Sequence, residues 1–310
     1  MTNPAVYYIK IDNMNVGQRL DNFLISKLKD VPKSHVYRIL RKGEVRVNKK
    51  RAKPEYRLCL GDDVRIPPVR ISDKPVKLTP NKRALDLLEG CVLYEDDHLL
   101  VLNKPSGVAV HAGSGVDYGL IDILHEKYPN QHHVLVHRLD KGTSGCLLIA
   151  KDRPTLIALH AAWRENTCVK IYTLLTEGLW SKSRVTVDMS LQKNSERGGE
   201  RVVIADEAGK MAITHFEVIK TFSDATLLQA RIDTGRTHQI RVHAARMGHP
   251  VAGDDKYGGA AFNKGMRLYG LKRLFLHASE LTFPVPHQGN RMTIKAPLPE
   301  DLEAVLRDLP

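Results

Sequence analysis

Asp140 stands in the run His137-Arg138-Leu139-Asp140-Lys141-Gly142-Thr143-Ser144-Gly145, between the cations Arg138 and Lys141. The apolar runs Val134-Leu135-Val136 and Cys146-Leu147-Leu148-Ile149-Ala150 flank it and read as buried strands. A carboxylate displayed between two strands, with cations beside it, stays ionised at neutral pH and can serve as a nucleophile or a base. Asp, Gly and Ser also favour turns for backbone reasons. Residue types at this loop therefore leave catalysis and a plain turn equally open.

Three other polar stretches carry chemical groups. Asn103-Lys104-Pro105-Ser106-Gly107 follows an apolar strand and turns at Pro and Gly. Lys170-Ile171-Tyr172 opens a strand, and the two-residue period places Lys170 and Tyr172 on one face. Thr234-Gly235-Arg236-Thr237-His238-Gln239-Ile240-Arg241 ends a strand and begins a helix, with Thr237 as the expected N-cap. The 14 His residues invite a metal reading, notably at His132, His133, His137, His238 and His243. No His-Glu-x-x-His or comparable spacing accompanies them, so no metal site is expected. A nucleotide hydrolase would need a second carboxylate, and the one nearby candidate, Asp254-Asp255, reads as part of a turn ending in Tyr257-Gly258.

The elements that must position these groups begin at Cys91. Strands are expected at Val92–Tyr94, Leu99–Leu102, Val134–Val136, Cys146–Ala150, Ile171–Thr176, Ile213–Ile219, Thr226–Ile232 and Phe275–Thr282. Helices are expected near 118–128, 153–166, 237–247 and 300–308. Strand and helix do not alternate regularly, which favours an α+β fold with a mixed, largely antiparallel central sheet. Residues 76–90, rich in proline and charge, read as a linker, and 91–310 as the catalytic domain.

A chain of 310 residues with 42% apolar and 26% charged residues is ordinary for a soluble globular protein of one large and one small domain. No run reaches the roughly 18 apolar residues of a membrane span, and the first residues lack a secretory signal. Cys59, Cys91, Cys146 and Cys168 are widely spaced, as reduced thiols in a cytoplasmic protein would be. The net charge is +12, and most of the excess falls in the first quarter of the chain. That concentration points to a module that meets a polyanion, most simply nucleic acid.

Within that quarter, residues 1–16 read as an extension and 17–75 as the module. Leu20, Phe23, Leu24 and Leu28 recur at helical spacing; Pro32 breaks the helix, Ser34 is the expected cap of a second, and Gly43 stops it. Arg38 and Arg41 on the second helix, with Lys49 and Lys50 in the following turn, can lie against a phosphate backbone. With Arg19-Leu20-Asp21 and Gly43-Glu44-Val45-Arg46-Val47-Asn48, the segment resembles the S4 RNA-binding domain.

The later motifs resemble those of the RluA/RluC-type pseudouridine synthases, which isomerise uridine within RNA. They are 137–145, 103–107, 170–172 and 235–241, with His249-Pro250-Val251-Ala252-Gly253-Asp254 and Leu276-His277-Ala278. The resemblance implies that fold and an essential carboxylate at Asp140. It places Tyr172 against the target uracil, assisting proton removal from C5, and Arg236 as the cation paired with Asp140. It makes Arg138 the residue that fills the gap left by a flipped base, and Leu276 a wall of the pocket. His137 and Lys104 are expected to bind substrate, and Arg241 to contact a phosphate. Isomerisation conserves atoms and redox state, so no cofactor is expected. The implied partner is ribosomal RNA, in particular 23S RNA free or in assembly intermediates, acted on by a cytoplasmic monomer. An RNA-binding assembly factor on a retired catalytic fold is the competing reading; an intact Asp140, Tyr172 and Arg236 set argues against it.

Overall fold

Leu20, Phe23, Leu24 and Leu28 are all buried, so the spacing that suggested a helix also names its inner face. In the computed structural model, described for residues 6–28, 31–69, 80–112, 116–195, 201–286 and 288–310, the chain divides into two units. The first is Met1–Leu78 with Asp152–Pro154, and the second is Thr79–Lys151 with Thr155–Pro310.

The first unit contains β1 (Tyr7–Lys10), α1 (Leu20–Lys27), α2 (Lys33–Lys42), β2 (Arg46–Val47), β3 (Lys50–Arg51) and β4 (Asp63–Ile66). Its antiparallel sheet runs β1-β4-β2-β3. Val36, Ile39 and Leu40 of α2 meet the α1 stripe over Val45, Val47, Val64 and Ile66. The expected extension is not outside the fold: β1 pairs with β4 and Ile11 joins the core. Pro32, not Ser34, occupies the N-cap of α2, because its fixed φ suits entry to a helix. Gly43 ends that helix in the left-handed region, φ 69°, where a side chain is disfavoured.

The second unit contains α3 (Lys82–Asp86), β5 (Val92–Glu95), β6 (Leu99–Lys104), α4 (Leu120–Lys127), β7 (Val134–Leu135), β8 (Ser144–Ala150) and α5 (Arg153–Arg164). There follow β9 (Val169–Glu177), β10 (Arg184–Asp188), β11 (Leu191–Ser195), β12 (Arg201–Ala205), β13 (Ile213–Thr221) and β14 (Ala225–Ile232). The chain closes with α6 (Gln239–Arg246), α7 (Ala260–Leu268), β15 (Leu276–Pro284), β16 (Arg291–Lys295) and α8 (Glu300–Asp308). The main sheet runs β10-β13-β14-β9-β15-β8-β6-β5, with β16 on β15 and β7 on β8. One pairing, β15 with β8, is parallel and the others are antiparallel, as the mixed α+β expectation required.

Every residue of β8 is buried, which explains its unbroken apolar run. Cys146, Leu148 and Ala150 pack with Leu156 and Leu159 of α5, whereas Leu147 and Ile149 pack with Leu120, Ile123 and Leu124 of α4. Helices thus cover both faces of the strand that leads out of the Asp140 loop. The expected linker needs correction, since Ala84 and Leu88 are buried in the α4 cluster. Asn81 caps α3 by accepting from the Ala84 amide. Residues 76–79 of that stretch lie outside the described residues.

Candidate active site

Asp140 closes a turn in which the Thr143 amide donates to its carbonyl, 3.1 Å. The strand after the turn tolerates only glycine at 145. There φ is 110°, and a Cβ would overlap the Ala278 carbonyl of β15. The 103–107 loop holds the turn from behind. Ser106 Oγ donates to the Gly142 carbonyl at 2.7 Å and the Gly107 amide to the Lys141 carbonyl at 2.8 Å.

Lys104 belongs to this support and not to the substrate surface. It is fully buried, and its Nζ donates to the carbonyls of Pro105, Val108 and Lys141. Burial pushes its ammonium down to about 7, opposed by the negative Asp140 and aided by Arg273. His137 is likewise turned inward. Its Nε2 accepts the Leu148 amide at 3.0 Å and its ring stacks on Trp163, centroids 5.0 Å apart. Burial holds the imidazole down to about 4, so it is neutral, as an acceptor must be. Both residues were expected to bind substrate, and the structure gives each a positioning task instead. Arg138, the residue after His137, is exposed and lines the cleft that holds Asp140.

That cleft is open to solvent, with about 540 Å³ of space between its lining residues and the surrounding water. Tyr172, Ile232 and Leu276 supply its apolar wall. Burial, and then the negative charge of Asp140, raise the Tyr172 hydroxyl well above its usual value. Tyr172 is therefore a neutral phenol, suited to stacking and unsuited to removing a proton as phenolate.

The cation assigned to Asp140 requires the main correction. Among the described residues Arg236 makes no ion pair with Asp140; its Nε donates to the Met211 carbonyl, 3.1 Å, and its side chain is exposed. The groups beside Asp140 Oδ2 are the Arg241 guanidinium (Nη1) and the His238 imidazole (Nε2), each at 3.9 Å. Helix geometry explains the exchange. Thr237 does not cap α6; His238 does, with a left-handed φ of 54°, and Arg241 projects from the first turn towards the carboxylate. Nor is Arg241 an exposed phosphate contact, because its Nε and Nη2 donate in parallel to Asp254, 2.7 and 2.8 Å. Its side chain is 12% exposed. Burial opposes both charges, yet their mutual hydrogen bonds keep Asp254 below and Arg241 above the ordinary values. Asp254 also accepts the amides of Lys256 and Tyr257, so it opens the turn, read from sequence, that ends in Tyr257-Gly258. His238, Asp254 and Tyr257 were missed as site residues. For Asp254 the signal was present, a carboxylate offered to a helix that carries two arginines.

The Asn48-Lys49 turn of the first unit has φ 49° and 67° and is pinned by Asp62. That buried carboxylate accepts from Asn48 Nδ2 (2.7 Å), Tyr56 Oη (3.0 Å) and the Cys59 amide (2.8 Å). Lys49 and Lys50 are exposed on the turn, and Arg38 and Arg41 on α2. Among the described residues no group of three or more His, Cys, Asp or Glu could hold a metal, and no helix is long and apolar enough to cross a membrane.

A family profile described as RNA pseudouridylate synthase matches residues 98–246, and one for the S4 domain matches 18–64. Ribosomal large subunit pseudouridine synthase C of Yersinia pestis is 49% identical over 306 residues, covering 98% of this chain and 96% of its own length. The protein of that name from Escherichia coli (strain K12) is 48% identical over 310 residues, covering 99% and 97%. The solved structure of Human RNA Pseudouridylate Synthase Domain Containing 1 aligns with a TM-score of 0.58 at 27% identity, over 69% of this chain and 86% of that one. Near-full-length identity at this level, with the two matching family profiles, means that the chain belongs to the RluA/RluC-type RNA pseudouridine synthases that carry an S4 domain.

Proposed function

We propose that this chain converts uridines of large-subunit (23S) ribosomal RNA to pseudouridine, with Asp140 as the essential carboxylate. The observation that carries this reading is the cleft itself. Asp140 faces an apolar wall of Tyr172 and Leu276, while Arg241, locked by Asp254, stands 3.9 Å away. The relatives named for the large ribosomal subunit supply the RNA.

A uracil stacked in RNA hides the bonds that must change, so it has to leave the stack. Arg138, exposed at the cleft, takes up the vacated space, and Tyr172 gives the base a new stacking partner. The N1–C1′ bond then breaks, the base turns against the apolar wall, and C5 bonds to C1′. C5 gives up its proton and N1 gains one, so atoms balance without a redox partner. Attack by Asp140 on C1′, attack on C6, or removal of the C2′ proton each begins such a sequence. A neutral Tyr172 leaves removal of the C5 proton to another group. Arg38, Arg41, Lys49 and Lys50 hold the RNA backbone from the S4 unit, and Arg236 holds it beside the cleft. The protein works as a monomer in the cytoplasm.

Release of tritium from 5-tritiated uridine in ribosomal RNA transcripts tests the assignment. Asp140→Asn should abolish release while RNA affinity stays within about threefold, since the carboxylate is not a phosphate contact. Turnover near wild type by that variant overturns the role of Asp140.

A further inference from the structure

Among the described residues, no group within hydrogen-bond range accepts from the Nε2 side of His238. Its Nδ1 lies 2.8 Å from Tyr257 Oη, and that oxygen accepts the Val203 amide of β12 at 3.0 Å. With the amide donating in, the hydroxyl proton of Tyr257 has Nδ1 as its acceptor. Nδ1 is then unprotonated, and the ring proton sits on Nε2. Nε2 lines the cleft 3.9 Å from Asp140 Oδ2. That is too far for a hydrogen bond, and it leaves both groups addressed to whatever enters. Burial, the largest influence, holds the imidazole below its usual value despite the pull of Asp140. A neutral ring keeps this tautomer.

Tyr257 is fixed from three sides. Its amide donates to Asp254 Oδ1 at 3.0 Å, the Arg241 guanidinium lies 5.0 Å over its ring, and the His238 ring meets it edge-on at 5.5 Å. The backbone of His238 adopts φ 54° and ψ 18°, at a cost of about 1 kcal/mol for a residue with a Cβ. Contacts that hold both the backbone and the tautomer of one ring define where its remaining N–H points.

We infer that His238 is a further catalytic residue, whose Nε2–H, aimed by Tyr257, hydrogen-bonds the uracil as it separates from C1′. The inference rests on the function proposed above. When N1–C1′ breaks, the bonding pair stays with the base, and negative charge spreads from N1 to the carbonyl oxygens O2 and O4. A preorganised donor in a partly dry cleft stabilises such a charge more than it stabilises the neutral uridine. Nε2 keeps its proton throughout, so the exchange of the C5 and N1 protons is unaffected.

The test uses the full-length protein under single-turnover conditions with a ribosomal RNA transcript. Tritium release by the wild type comes first; its absence sinks the proposed function and, with it, this inference. Given wild-type turnover, His238→Ala should lower the rate at saturating RNA by roughly 100-fold, the usual effect of removing one such donor, with RNA affinity nearly unchanged. His238→Gln, which can still offer an N–H, should recover part of that loss. Tyr257→Phe keeps the ring under Arg241 and frees the tautomer, and should cost about tenfold. A transcript with 5-fluorouridine at the target separates donor from scaffold, because its base is a better leaving anion. The ratio of wild-type to His238→Ala rates for glycosidic cleavage should shrink on that transcript. Equal ratios on both transcripts, or a loss confined to affinity, overturn the assignment.

Discussion

Two arginines five residues apart in the same motif, one before α6 and one in its first turn, have opposite fates, and variants should separate them. Arg241 is forked onto Asp254 and faces Asp140; Arg236 lies outside on the Met211 carbonyl. Lysine cannot reproduce a bidentate guanidinium, so Arg241→Lys should cost about two orders of magnitude in single-turnover rate. Arg236→Lys should change that rate by less than about threefold while weakening RNA binding in a salt-dependent way. Tritium release and filter binding on the two variants check the pair, and equal rate losses would falsify the geometric distinction. Asp140, Tyr172, Leu276 and Arg138 were named through the family resemblance, and all four line the cleft. The assignment of Arg236 failed since spacing alone does not say where an α-helix starts. The left-handed His238 delays α6 and hands the inner position to Arg241. Lys104 and His137 misled for a different reason, as chemically capable side chains that the fold commits to carbonyls and an amide.

At the scale of elements, the 103–107 loop is a clamp on the catalytic turn and its charge is a liability. The Lys104 ammonium sits at about 7 in the fold against 10.5 when solvated. Below pH 7 both states are protonated and the full penalty for burying the charge applies. Between 7 and 10.5 the unfolded chain binds the extra proton, so this residue's contribution to stability improves as pH rises. The difference between the urea midpoints of wild type and Lys104→Met should therefore shift in favour of wild type from pH 7 to pH 9.5; a constant difference would rule the account out. Gly145→Ala faces a forbidden φ and the Ala278 carbonyl together, and should cost about 3 kcal/mol in the same assay. The buried strands of the catalytic unit were legible as apolar runs. β10, β16 and the β11–β12 hairpin were missed since their residues are short, partly exposed and mixed in character. α3 was hidden by the prolines and charges around it, although Ala84 and Leu88 carry its packing.

For the whole molecule, two units with separate cores divide the work between holding RNA and changing it. Replacing Arg38, Arg41, Lys49 and Lys50 by alanine in the full chain should flatten the plot of log affinity against log salt. The slope should fall by about 0.7 to 0.9 for each phosphate that is no longer neutralised, with the saturated rate nearly unaltered. An unchanged slope would remove these four from the RNA surface. The parallel pairing of β15 with β8 adds a matter of timing. Ser144 and His277, partners across that pairing, lie 133 residues apart in the chain. At about 5–20 residues per second, translation separates them by roughly 7–27 s. The strand leaving the Asp140 turn waits that long for its neighbour, whereas the S4 core is complete within the first quarter of synthesis. Each nascent chain thus owns its basic surface well before it owns a working centre, and no truncated product ending short of β15 can modify what it holds.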